Sequence, residues 1–151
     1  MLLNILKLLL LLLATLPQHS FSHEKNHKPN NEIFSNNCNF QSFESFFAHF
    51  ASSESAQKEF IKIPFKIQYI QSKSAIEPEA ISKRLYANEI KFPVFPMLKE
   101  RTERKLSINT ISKSENMKQV ILFKDGTDYV VHYNFVKRNC WILESMEDWS
   151  L

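Results

Sequence analysis

Glycine is nearly missing from this chain. With Gly126 the only one in 151 residues, there is no glycine-rich loop to cradle a phosphate, and nucleotide-binding fingerprints are excluded. Cysteine is scarce as well. Cys38 and Cys140 lie too far apart in sequence to make a metal site by themselves, and His19, His23, His27, His49 and His132 show no ligand spacing near them. No metal or other cofactor is therefore expected. Net charge is small too, +3 in total with Lys7 in the leading segment, and no basic stripe is interleaved with aromatics, so nucleic acid is not an expected partner.

What the chain has in excess is phenylalanine, thirteen residues of it. It also has an apolar start. One positive charge, Lys7, precedes an unbroken leucine run from Leu8 to Leu13, and the small residues Ser20 and Ser22 then stand two apart as a signal peptidase site requires. Residues 1–22 read as a signal peptide cleaved near Ser22-His23, too short in its apolar core for a span of about 20 residues. An uncleaved anchor is the alternative. Residues 23–37, rich in His, Lys, Asn and Pro, read as a mobile polar leader, which leaves residues 38–151 as one domain with no stable membrane span.

That domain opens with Phe40, Phe43, Phe46, Phe47 and Phe50 at three- and four-residue intervals, the period of an amphipathic helix capped by Asn39 or Ser42. A second short helical segment from Ser53 to Phe60 follows. Ile61, Ile63, Phe65, Ile67 and Tyr69 then alternate with polar residues and predict a strand, in which Pro64, lacking an N–H, demands an edge or a bulge. The segment Gln71 to Glu79 reads as a linker. Ala80, Ile81, Leu85 and Tyr86 suggest a helix, Phe92 to Pro96 an extended stretch, and Lys99 to Lys105 a solvated charge run. Leu106 to Ile111 alternates as a strand.

The end of the chain reads as a three-stranded meander. Its runs are Val120–Phe123, Tyr129–Phe135 and Cys140–Leu143, separated by Asp125-Gly126 and by Lys137-Arg138-Asn139. Helices first and strands last indicate an α+β fold, with the Phe-rich helix packed on a curved, mostly antiparallel sheet. In an exported chain the two cysteines invite a bridge. It would close a loop of about 100 residues and stabilise by about 4 to 5 kcal/mol in the loop-entropy model; two buried free thiols are the alternative.

The blocks Phe43-Glu-Ser-Phe-Phe-Ala-His-Phe-Ala51, Ser55-Ala-Gln-Lys-Glu-Phe60 and Ile61-Lys-Ile-Pro-Phe65 resemble the opening of the exported proteins of domain-of-unknown-function family 4348. Tyr129–Phe135, Cys140–Leu143 and Glu147-Asp-Trp-Ser150 look like the same family's tail. The resemblance implies the nuclear transport factor 2-like cone fold, a bent sheet wrapped around an N-terminal helix, in a periplasmic or secreted setting. It implies no catalytic residues.

Function is less legible. No nucleophile, base and orienting group form a trio, because Tyr129 and Tyr133 share a strand face with Val131 and Phe135, while Asp128 and His132 have the opposite parity. The expectation is an exported, non-enzymatic binding or interaction protein, monomeric, with an unidentified protein partner. An immunity protein against a delivered toxin is one form of it. Glu144, Glu147, Asp148 and Trp149 are the candidate interaction surface. The alternative is a small-ligand-binding or enzymatic protein with a pocket between helix and sheet, lined by Phe46, Phe50, Tyr133 and Trp141.

Overall fold

The computed structural model describes residues 38–71 and 78–151. The expected signal peptide and leader, with His19, His23 and His27, and most of the expected linker lie outside the described residues. Helix α1 (Phe43–Phe50) begins where Ser42 accepts the Ser45 N–H and the Ser45 hydroxyl accepts the Ser42 N–H, both at 3.2 Å. This reciprocal pair satisfies two donors that the first turn would leave orphaned. Helix α2 (Glu54–Glu59) starts in the same way at Ser53, whose hydroxyl accepts from the Ala56 N–H. Strands β1 (Ile61–Gln71) and β2 (Glu79–Leu85) follow, then helix α3 (Leu98–Arg104) and strands β3 (Ser107–Ser114), β4 (Met117–Phe123), β5 (Val130–Lys137) and β6 (Trp141–Asp148).

All six strands form one sheet in the order β2-β1-β6-β5-β4-β3. Neighbours are antiparallel except β1 and β6, the second and third strands in this order, which run parallel. Pro64 falls where the ladder is already interrupted. Pairing of β1 with β2 begins only at Phe65, and its register with β6 shifts between Ile61 and Lys66, so the missing N–H of proline costs no hydrogen bond of a regular ladder.

Alternation decides which side of each strand meets α1. Phe135 on β5 is the hub: the rings of Phe43, Phe46, Phe47 and Phe50 all lie with centroids 5.2–5.9 Å from it, in edge-to-face arrangements. Such geometry brings the positive ring edge to a negative ring face, and burial adds about 1.5–3 kcal/mol for each fully buried ring, Phe47 being only partly buried. Phe46, Phe50, Phe65, Phe95 and Phe135 have at most 1% of their surface exposed. Gly126 adopts φ 71° in the β4–β5 turn, a conformation that suits a residue without Cβ.

Two segments differ from the sequence reading. Ala80–Leu85 is strand, not helix, because Ile81 and Leu85 satisfy a strand parity as well as a helical one, and pairing with Tyr69 and Phe65 of β1 decides between them. Within the charge run, Leu98–Arg104 is helical. No side chain caps its start, but Arg104 bonds Glu100 one turn back at 2.8 Å and Arg101 donates to the Pro96 carbonyl at 2.7 Å. The loop ahead of α3 is held by Gln57, a fully buried polar residue. Its Nε2 donates to the Phe95 carbonyl (2.8 Å) and its Oε1 accepts the Phe95 N–H (2.9 Å), as a neighbouring strand would. Phe95 is thereby seated over Tyr133, ring to ring at 5.0 Å.

Cys38 and Cys140 are joined by a disulfide across a sequence separation of 102, with Cα atoms 5.4 Å apart. The bond ties the approach to α1 to the start of β6.

Candidate interaction surface

The interior of the cone was one candidate location for a site. Phe46 and Phe50 project from consecutive turns of α1, Tyr133 from β5 and Trp141 from β6, and all four are buried, with 0%, 0%, 3% and 6% of their surface exposed. They are brought to one side of the sheet but meet other rings there. Phe43 stacks edge-on against Trp141 at 5.0 Å, and Phe95 closes over Tyr133. Burial pushes the Tyr133 phenol well above the ordinary tyrosine range, with the nearby Tyr129, Asp148 and Glu100 adding to the effect and Arg104 opposing it. A phenol so held neither ionises nor acts as a base near neutrality. Tyr129 lies under the Arg104 guanidinium, 4.8 Å from ring centroid to Cζ, and Asp128 is exposed in the β4–β5 connection.

The outer face of the sheet has the opposite character. Residues of the other parity in β4, β5 and β6 form a hydrogen-bonded row. Gln119 Nε2 donates to Asn134 Oδ1 at 2.9 Å, and Asn134 Nδ2 donates both to Ser145 Oγ at 3.1 Å and to Glu147 Oε1 at 2.9 Å. The second carboxylate oxygen of Glu147 accepts the Trp149 indole N–H at 3.3 Å and lies 3.7 Å from His132 Nδ1. Every member of this row is half-buried. Glu147 is thus fixed by partners on both sides, and it holds Trp149 against the outer face.

Of the four residues anticipated at the C-terminus, Glu147 and Trp149 are brought together, and the others are not. A register shift on β6 between its partners Asn134 and Phe135 places Glu144 at a bulge, where it accepts from Lys62 Nζ at 2.6 Å. Asp148 pairs in register with the buried Val131, on the inner parity, and its Oδ1 accepts the Ser150 N–H at 3.0 Å. Gln119, His132, Asn134 and Ser145 were not picked out as a group. The parity of His132 and Asn134 was visible, but the bulge at Glu144 that turns Ser145 to the same side and the cross-strand register were not.

A groove of about 500 Å³ opens elsewhere, between α2, the first residues of β1 and the segment after β2, and is lined by Glu54, Lys58, Ile61, Ile63, Ile90 and Phe92. Lys58 Nζ stands over the Phe92 ring at 5.2 Å, and Ile63, inward by simple alternation, is 38% exposed where β2, whose last residue Leu85 pairs with Phe65, does not reach. Among the described residues no cluster of three or more His, Cys, Asp or Glu could hold a metal ion, and no helix is long and apolar enough to cross a membrane.

A Phe-bearing helix laid on a six-stranded mixed sheet with one parallel pair, β1 and β6, is the nuclear transport factor 2-like α+β fold. Among solved structures the chain is similar to a nuclear transport factor 2-like protein from Bacteroides fragilis NCTC 9343, with TM-score 0.54 and 17% identity over 75% of this chain. It spans about half of that protein, 49% of its length. At this identity the likeness carries the fold and nothing of the function. No family model and no curated protein matches the chain.

Proposed function

We propose that this chain is an exported, periplasmic interaction protein without catalytic activity, and that it meets its protein partner on the outer face of the sheet around Glu147 and Trp149. One observation carries the reading. The aromatic side chains that could have lined a cone pocket are occupied with one another, whereas Trp149 and its pre-ordered carboxylate partner are half-exposed on the other face. A tryptophan fixed at a surface by a hydrogen bond has lost its rotamer freedom before binding, which is the condition of an efficient anchor.

The disulfide supports an oxidising compartment. The leucine run after Lys7 supports export, and the resemblance to domain-of-unknown-function family 4348 supports the same setting. An immunity protein that neutralises a toxin delivered to the periplasm fits these features. Small-ligand binding is a second reading, favoured by the groove beside Lys58 and Phe92, whose volume is that of a ligand site.

The test is a pull-down from periplasmic extract with the exported protein and its Trp149→Ala variant as baits. The expected result is a protein retained by the first and lost from the second. A partner retained equally by both would move the site away from Trp149. No partner at all, with no toxin sensitivity on deletion, would overturn the interaction reading.

A further inference from the structure

The two edges of the sheet are built differently. At one edge β2 presents the exposed charges Glu79, Lys83 and Arg84 within seven residues. At the other edge β3 has a single charge, Lys113, no proline, and six of eight side chains exposed. A free edge displays unpaired N–H and C=O groups, and soluble proteins ordinarily blunt it with charge, proline, a bulge or a cover. The irregularity in β3 lies between Ser112 and Ser114, at its far end, so Ser107–Ser112 remains a regular strand with consecutive partners on β4. That stretch carries no charge, and its Ile108 is 38% exposed.

We infer that β3 is an interface for a second copy of this chain. Two β3 strands pair antiparallel about a two-fold axis, continuing the sheet from one molecule into the other. Symmetry restricts the register. Alternate residues of a strand turn their backbone groups to the free side, so the axis must pass through a residue facing its own counterpart rather than between two residues. With Thr110 at the axis, Asn109 lies opposite Ile111, Ile108 opposite Ser112 and Ser107 opposite Lys113. No like charges meet, and the self-pair is Thr on Thr, a favourable cross-strand combination. The polar outer face is not used, since the contact is made by backbone at an edge. Trp149 follows β6, three strands away in the sheet order, and stays open to another partner.

The experiment is sedimentation velocity on the purified chain from micromolar to millimolar concentration, with Thr110→Lys and Thr110→Glu alongside. Wild type is expected to dimerise with rising concentration. Each variant alone should dimerise about five-fold or more weakly, because like charges then face across the axis, and an equimolar mixture should recover the dimer. Recovery in the mixture shows that the variants are folded. A wild type that is monomeric throughout overturns the proposal. So does a dimer unaffected by both substitutions, or a mixture that stays as weak as its components.

Discussion

On the inner face of β5, Val131, Tyr133 and Phe135 are buried, whereas His132 and Asn134, each one residue along, stay half-exposed on the outer face. Asn134 donates directly to Glu147, and His132 stands beside the same carboxylate. The two faces are made by the same strands and differ in what covers them. Phenylalanine from α1 packs around Phe135, so the inner face beneath α1 is a solid core, while cavities of about 500 and 290 Å³ open beside it along β1 and β2. Among the described residues no helix packs on the polar row of the outer face, whose groups satisfy one another and stay half-exposed.

The contrast can be broken most forcefully from within. Phe46→Ala should lower unfolding stability by about 3–5 kcal/mol, read from urea midpoints, since a ring with 0% exposure leaves a void its neighbours cannot fill. A much smaller loss would mean that the interior is loosely packed.

Tyr133 sharpens the same point through pH. Its phenol is raised in the folded protein, so the stabilisation from keeping it neutral is fully present below about pH 10, where the unfolded tyrosine titrates, and falls as pH rises further. Tyr133→Phe should show a shallower alkaline loss of stability than wild type, measured as urea midpoints at about pH 9 and about pH 11. Parallel alkaline profiles would place Tyr133 in water.

The smallest effect is expected outside. Asn134→Ala breaks the outer row at its centre, yet water can replace its partners there, so the loss should be about 1 kcal/mol, seen in the same urea titration.

Much of the inner face was legible in the chain. Ser42 and the phenylalanine spacing announced α1, the alternation from Ile61 to Tyr69 announced β1, and the runs from Val120, Tyr129 and Cys140 fall in β4, β5 and β6. What escaped was set by partners distant in sequence. Ala80–Leu85 carries only two well-spaced apolar residues, and β1 selects strand for it. Leu98–Arg104 has no apolar period, being held by Glu100–Arg104 and by Arg101 against Phe95. Gln57 is a polar residue of a short helix, and its burial depends on a backbone 38 positions away. The outer row depends on the bulge at Glu144, which no local pattern marks.

The space between α1 and β5 is filled by side chains, and xenon tests this directly. Crystals of the wild-type protein under xenon pressure should show no atom bound among Phe46, Phe50, Tyr133 and Phe135, whereas Phe46→Ala crystals should bind xenon in the space the ring vacates. Xenon bound among those residues in the wild type would contradict the account and return the interior to consideration as a ligand site.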